Sequence, residues 1–195
     1  MDHFYFISSV SLALGLSAAC GFRVFIPPLA YGIFYKAELV DLHSSWSWIG
    51  NDWVIGVFAI AAIIEIFATF IPWLDNFLDI IATPAAILAG IILSSSCLES
   101  INPGLQWMLS VICGVVVAGG LQLSTVTLRG LSSIFTGGIA NPLVALSEDT
   151  LAIGISVMVI MFPILGVLIV LLIFFLIRSL IKRLRRKKRI QTIDK

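Results

Sequence analysis

The sequence predicts an all-α protein, a polytopic bundle whose helices cross a membrane five or six times. Of its 195 residues, 59% are hydrophobic and only 12% are charged, whereas soluble domains carry about 25% charged residues. The mean hydropathy is +1.09, and the apolar runs reach the roughly 20 residues that a helix needs to cross a bilayer. The longest hydrophilic gap covers residues 36–52, which leaves no room for a separate soluble domain.

Charge divides the chain into a helical transmembrane domain, residues 1–178, and a basic tail, residues 179–195. Seven of the eight residues from Lys182 to Arg189 are basic. The positive-inside rule therefore predicts a cytoplasmic C-terminus, in the inner (plasma) membrane of a bacterium. Because the tail directly follows an apolar run, we expect it to bind the lipid bilayer through anionic headgroups and not to bind nucleic acid.

The first apolar run covers residues 4–35 and is too long for one straight crossing. Pro27-Pro28 and Gly21 are expected to divide it, since proline interrupts helical hydrogen bonding and glycine weakens a helix. Arg23 lies in the middle of the run, which favours a position facing the interior of the bundle.

The second span is predicted at residues 53–71, and it contains Glu65 among small residues. An ionised carboxylate in hydrocarbon costs at least about 2.5–3.5 kcal/mol, so Glu65 is expected to face the bundle. Pro72 ends this span. The next apolar run, to about residue 96, contains Pro84, which predicts a kinked span or a pair of half-helices.

The fourth span, residues 105–129, has one face of small and polar residues, which predicts a packed helix interface. This stripe repeats at spacings of three and four: Ser110, Gly114, Ala118, Gln122, Thr125 and Arg129. Residues 130–149 are interpreted as a Gly- and Ser-rich connection, broken or re-entrant around Gly137–Pro142, because irregular backbone is tolerated at membrane depth only inside protein.

Local patterns offer a structural role for several acidic residues. Ser147 resembles a helix cap for a fifth span at residues 150–178, with Glu148 and Asp149 favourable in the first turn of that helix. Asp75 is a candidate cap for the helix that follows Pro72. No such local role explains the other acidic residues that lie within or beside the apolar runs, Glu65 and Asp79.

A weak internal repeat is also visible. Gly15-Leu16 precedes Arg23, and Gly120-Leu121 precedes Arg129. Each arginine is followed by a proline-containing break and then by another span. Inverted repeats with broken helices are typical of transporters.

Taken in order, the motifs of the chain resemble those of a known family. They are Gly21-Phe22-Arg23, Pro72-x-x-Asp75-Asn76-x-x-Asp79, Thr83-Pro84, Arg129, Gly137-Gly138-x-x-Asn141-Pro142 and Ser147-Glu148-Asp149. Over about residues 8–175 the sequence resembles the bacterial and plastid membrane proteins grouped as domain of unknown function 4126. The resemblance implies an integral membrane protein and brings no activity with it. In that family a basic residue often follows the Thr-Pro pair, where this chain has Ala85-Ala86.

Charge counting leads to the main functional hypothesis. Two arginines and five carboxylates lie within or beside the apolar runs, so even full pairing leaves three anions that must be hydrated, protonated or bound to a cation. We therefore expect a small transporter or channel-like protein with a polar intramembrane site for a proton, a cation or a small anionic solute. The candidate site residues are Glu65, Asp79, Asp75, Asn76, Arg23, Arg129 and Asn141, with Ser147, Glu148 and Asp149 as secondary candidates.

Two alternatives remain at this stage. The protein could be a non-transporting assembly or accessory protein whose charged residues only hold the spans together and whose tail binds lipid or a partner. The sequence is compatible with homo-oligomers in either case. The other alternative is an intramembrane enzyme that acts on lipid through a pair of aspartates, Asp75 and Asp79. An enzyme is not expected, because the sequence contains neither a His-Glu-x-x-His zinc motif nor a Gly-x-Ser-x-Gly elbow nor a phosphate-binding loop with lysine. We accordingly expect no catalytic residues, metal or cofactor.

Overall fold

The protein is described by a computed structural model in which the regular structure of the described residues is helical. The described residues are 3–137, 139–165, 167–168, 171–172, 174–176, 178–179 and 182–183, without the side chains of residues 72–77 and 79. Most of the basic tail, from residue 184 onward, lies outside them.

Seven α-helices, one 3₁₀ helix and one π-helical segment are found up to Met161, and the described residues between 163 and 183 are helical as well. The α-helices are α1 (His3–Cys20), α2 (Ile26–Lys36), α3 (Asp52–Ala68), α4 (Pro72–Cys97), α5 (Pro103–Ile112), α6 (Gly119–Thr136) and α7 (Asn141–Met161). The 3₁₀ helix, Ser44–Gly50, precedes α3, and the π-helical segment, Cys113–Ala118, joins α5 to α6. The all-α class is therefore confirmed.

Four of the helices are long and apolar enough to cross a membrane. They are α1, the part of α4 from Ile80 to Cys97, the continuous helix Pro103–Thr136, and α7. A fifth crossing results if the 3₁₀ helix and α3, which are bent by 54° at their junction, form one broken span. The lower of the two predicted span counts agrees with this result, and the described residues offer no candidate for a sixth span. The chain is a polytopic integral membrane protein.

The predicted break in the first apolar run is confirmed. Helix α1 ends at Cys20 and α2 begins at Ile26, so Arg23 lies in the non-helical segment between them. Pro27 and Pro28 occupy the first turn of α2. Proline is favourable there because the first turn does not use its N–H groups in helical bonds.

Helix α4 continues through Pro84 without interruption from Pro72 to Cys97. Of the two predicted alternatives, the pair of half-helices is wrong. The predicted capping role of Asp75 is also wrong, because the N-cap position belongs to Ile71 and Asp75 is already the fourth helical residue. The fixed backbone angle of Pro72 suits the first position of a helix, which explains why the helix starts there.

The break around Gly137–Pro142 is confirmed but is shorter than the predicted connection at residues 130–149. Helix α6 ends at Thr136, where Gly137 adopts the left-handed conformation with φ of 63°, a common helix terminator. Helix α7 begins at Asn141 and has proline in its first turn. Ser147 therefore lies well inside α7.

The interior position of Ser147 also corrects the predicted roles of its two acidic neighbours. Glu148 and Asp149 lie further along α7 than its first turn, so they do not complement the N-terminal dipole as predicted. The stronger start signal is the Asn-Pro pair upstream, because proline in the first turn begins a helix without losing a hydrogen bond.

The predicted stripe on the fourth span is the buried face of the helix Pro103–Thr136. All six of its residues are buried: Ser110, Gly114, Ala118, Gln122, Thr125 and Arg129. The π-helical segment Cys113–Ala118 lies within this face. Because a π-helical register releases backbone carbonyls from their usual partners, side-chain donors are favourable nearby, and Ser17 Oγ donates to the Cys113 carbonyl oxygen at 2.6 Å.

Close approach of α4 to this segment depends on glycine. A Cβ atom added at Gly90 would lie 2.7 Å from Ser17 Oγ and 2.9 Å from the Cβ of Ala118. Small residues at such contacts let membrane helices pack backbone to backbone. Helices α1, α4 and the π-helical segment thus form the packed centre of the described bundle.

The variant Gly90→Ala is expected to lower the free energy of unfolding by about 1–3 kcal/mol, because the added methyl group overfills this contact. The matched control is Gly120→Ala, where an added Cβ meets nothing within 4 Å. That control should be neutral or stabilising by up to about 1 kcal/mol, since alanine favours a helix more than glycine does. Thermal unfolding in detergent compares the two variants, and equal melting temperatures would contradict the packing described for Gly90.

Candidate functional site

A cavity of about 200 Å³ lies between α3, α4, α6 and the segment that joins α1 to α2. Its wall is mostly apolar. The polar side chains that line it are Arg23, Glu65, Thr69, Gln122 and Arg129. The cavity therefore collects three of the predicted site residues, which come from three different parts of the chain.

Glu65 connects α3 to the break between α1 and α2. Its Oε1 accepts a hydrogen bond from the Val24 N–H at 2.8 Å, and its Oε2 accepts one from the Phe25 N–H at 3.1 Å. Helix α2 has no side-chain cap at its N-cap residue, Phe25. The carboxylate of Glu65 thus stabilises the start of α2, where the helix dipole also favours negative charge.

Arg23 extends from the same break to α7. Its Nε lies 2.5 Å from Asp149 Oδ1, and its Nη2 donates to the Ala145 carbonyl oxygen at 3.4 Å. Both members of the ion pair are buried. The pair attaches the non-helical segment between α1 and α2 to one face of α7.

Arg129 makes a second buried ion pair with α7. Its Nε donates to Glu148 Oε1 at 3.2 Å, and its Nη2 contacts Glu148 Oε2. This fork-like arrangement matches the planar geometry of guanidinium to that of carboxylate. Arg129 is 8% exposed and Glu148 is 2% exposed, so the pair is shielded by protein and holds α6 against α7.

The described side chains of this cluster carry one more negative charge than positive charges. Arg23 faces Asp149, Arg129 faces Glu148, and Glu65 adds a third carboxylate with no ion-pair partner within 4.0 Å among the described residues. Glu65 is half-buried and lines the cavity. Its charge is stabilised by backbone N–H groups, which leaves the cluster with a net negative charge when all groups are ionised.

Gln122 was not among the predicted site residues, although it belongs to the predicted stripe. It is 4% exposed and lines the cavity. Its Oε1 is buried and has no hydrogen-bond partner among the described residues. The sequence signal for its role was its spacing from Arg129, because residues seven apart lie two helical turns apart on the same face.

The ion pair between Arg129 and Glu148 lies inside the bundle, away from the turn that joins α6 to α7. Seven residues separate Arg129 from the end of α6 at Thr136, and seven separate Glu148 from the start of α7 at Asn141. At a rise of 1.5 Å per residue, this ion pair is about 10 Å from the turn between α6 and α7.

Several predicted residues lie elsewhere. Asn141 begins α7, where its Nδ2 donates to Ser133 Oγ at 2.9 Å, and it is not part of the cavity lining. Ser147 is exposed, and its Oγ donates to the Val144 carbonyl oxygen at 2.6 Å. The side chains of the remaining candidates lie outside the described ones: Asp75, Asn76 and Asp79.

No group of three or more His, Cys, Asp or Glu side chains in the described part of the chain is arranged to hold a metal ion. The chemistry that the described site does offer is hydrogen bonding and ion binding. Glu65 and Gln122 present oxygen acceptors, and the two arginines present N–H donors that already contact carboxylates.

Comparison with known proteins identifies the family. A family model described as "Domain of unknown function (DUF4126)" matches residues 10–183. The chain belongs to this family. The match confirms the resemblance inferred from the motifs and spans most of α1 and all of α2–α7, so the cavity lies within the family's domain. Searches among curated proteins and among solved structures return no match.

Proposed function

We propose that the protein is a small transporter or channel-like protein that binds a proton or a cation in the cavity. The observation that carries the proposal is the position of Glu65, a third carboxylate beside two arginines that each already contact a carboxylate. A proton or cation at Glu65 would neutralise the remaining charge of the described cluster, which the membrane environment favours. The same charge disfavours a small anionic solute.

A second candidate function is that of a non-transporting assembly or accessory protein. The two buried ion pairs favour it, because they attach α7 both to α6 and to the break between α1 and α2. The cap that Glu65 provides to α2 is also a structural contact. In this alternative the polar cluster only holds the helices together.

The proposal includes an orientation and a membrane partner. We place the protein in a bacterial inner membrane with its C-terminus in the cytoplasm. The motivation is the basic run from Lys182 to Arg189, which would bind anionic headgroups with about 1 kcal/mol per basic residue near the surface. Homo-oligomers are compatible with this arrangement.

Flux measurements in proteoliposomes test the proposal. Wild-type protein should move protons, measured with an internal pH dye, or a cation from a panel of inorganic and organic cations. The expected flux exceeds that of protein-free liposomes and of liposomes that contain an unrelated membrane protein. Background flux for protons and for every cation of the panel would contradict transport and favour the accessory role.

A further inference from the structure

Two of the helices that line the cavity, α3 and α4, carry exposed apolar side chains. Ile64 of α3 and Ile81 of α4 both line the cavity, and they are 55% and 46% exposed. Exposed apolar side chains surround them on both helices, among them Ile60, Phe67 and Ile80. In a bundle that spans a membrane such a surface contacts lipid tails, so the cavity opens sideways toward the bilayer.

The lining of the cavity combines an apolar part with a polar part. Small and apolar side chains form the walls near α3 and α4: Ala61, Leu78, Ala82 and Ala85. The polar part of the lining includes the carboxylate of Glu65 and the buried Oε1 of Gln122, an acceptor with no hydrogen-bond partner among the described residues. The two arginines of the lining, Arg23 and Arg129, already contact carboxylates of α7. A molecule that satisfies both regions needs a hydrogen-bond-donating head and an apolar chain.

We propose that the cavity binds an amphipathic amine that enters laterally from the lipid bilayer. Its ammonium head donates hydrogen bonds to Glu65 and Gln122, and its alkyl chain leaves between α3 and α4. This inference rests on the proposed function, because it specifies the chemical class of the cation that the site binds.

Three features favour an ammonium head. An ammonium group has three donors and no acceptor, which complements two oxygen acceptors and one net negative charge. An inorganic divalent cation such as Ca²⁺ requires six to eight oxygen ligands, and the described lining offers fewer. Glu65 also lies three residues before the end of α3 at Ala68, about 5 Å from that helix end at 1.5 Å per residue, a depth that an amphiphile with its chain in the hydrocarbon can reach.

Photolabelling in phosphatidylcholine nanodiscs tests the inference. The probe is a long-chain primary amine with a photoreactive diazirine in its chain, and labelled peptides are identified by mass spectrometry. Labels are expected on the α3 and α4 walls, between residues 61 and 85. Dodecylamine should compete about tenfold better than dodecanol, dodecanoate or the short amine propylamine, a difference of about 1.4 kcal/mol in binding.

Two variants locate the head and the chain. Glu65→Gln removes the negative charge and should reduce labelling about tenfold. Ala82→Phe fills the wall and should abolish labelling, whereas the matched control Leu88→Phe, on the lipid-exposed side of the same helix and outside the lining, should label like the wild type. Melting temperatures of all three variants identify any that fail to fold.

Five results of these experiments would overturn the proposed binding of an amphipathic amine. Equal competition by dodecanoate, or unchanged labelling of folded Glu65→Gln, would overturn the ammonium assignment. Equal competition by propylamine would overturn lateral entry. Cation flux that depends on Glu65, without any labelling by the amine, would overturn this inference and leave the proposed function standing, whereas the absence of both flux and labelling would overturn both.

Discussion

Arg129→Gln is expected to lower the free energy of unfolding by about 3–5 kcal/mol, because it leaves the Glu148 carboxylate buried without its guanidinium partner. The pair connects α6 to α7, and Glu148 is only 2% exposed, so water cannot replace the lost interaction. Thermal and denaturant unfolding in detergent measures the effect. Thr127→Ala, at a half-buried position two residues earlier on α6, where the hydroxyl donates only to the Leu123 carbonyl oxygen of its own helix, is the control and should stay within about 0.5 kcal/mol of the wild type.

The double variant Arg129→Gln with Glu148→Gln separates the ion pair from the volume of the side chains. Two neutral amides can hydrogen-bond with each other, so the double variant should regain stability relative to the single variant. A double variant as unstable as Arg129→Gln, or a single variant as stable as the Thr127 control, would show that this pair does not hold α6 against α7.

Helical periodicity made much of the fold predictable from the sequence. Small and polar residues at spacings of three and four identified the buried face from Ser110 to Arg129, because such a face permits close packing between helices. Pro27-Pro28 and Pro72 likewise marked two interruptions of the apolar runs, and in the structure these prolines lie in the first turns of α2 and α4, where proline is accommodated. Pro84 was expected to kink or divide the third span, but α4 continues through it. Within a membrane bundle, neighbouring groups can compensate for the hydrogen bond that a proline lacks.

The partners of the charged residues were not predictable from local patterns. Ser147-Glu148-Asp149 looks like a helix start, but the Asn-Pro pair at residues 141–142 starts α7 earlier. Two adjacent acidic residues then point to different arginines, Glu148 to Arg129 and Asp149 to Arg23. Only the tertiary arrangement of α7 against α6 and the first break determines these pairs.

Glu65 illustrates a second limit of charge counting. Counting side chains suggested that it either pairs with an arginine or forms part of a functional site. The structure instead gives it two backbone donors, the N–H groups of Val24 and Phe25. Backbone donors at a helix start carry partial positive charge, which no count of basic residues includes. Gln122 was overlooked for a related reason, because an uncharged side chain does not enter such a count.

Glu65→Gln is expected to reduce cation or proton flux at least about tenfold, because the substitution removes the charge that binds the transported ion. The amide keeps the length of the side chain, and its Oε1 can still accept one of the two backbone N–H groups. Loss of the other hydrogen bond should cost about 1–3 kcal/mol, which is smaller than the effect expected for Arg129→Gln. The two variants therefore distinguish a residue that acts on the transported ion from one that holds the bundle together.

The most direct test of the cavity as the transport site is the flux per folded protein of wild type and Glu65→Gln, measured in proteoliposomes from preparations whose melting temperatures are also determined. We predict that the variant remains folded at the assay temperature and that its flux falls at least about tenfold. A folded Glu65→Gln variant that moves the same ion at the wild-type rate would contradict a transport role for the cavity.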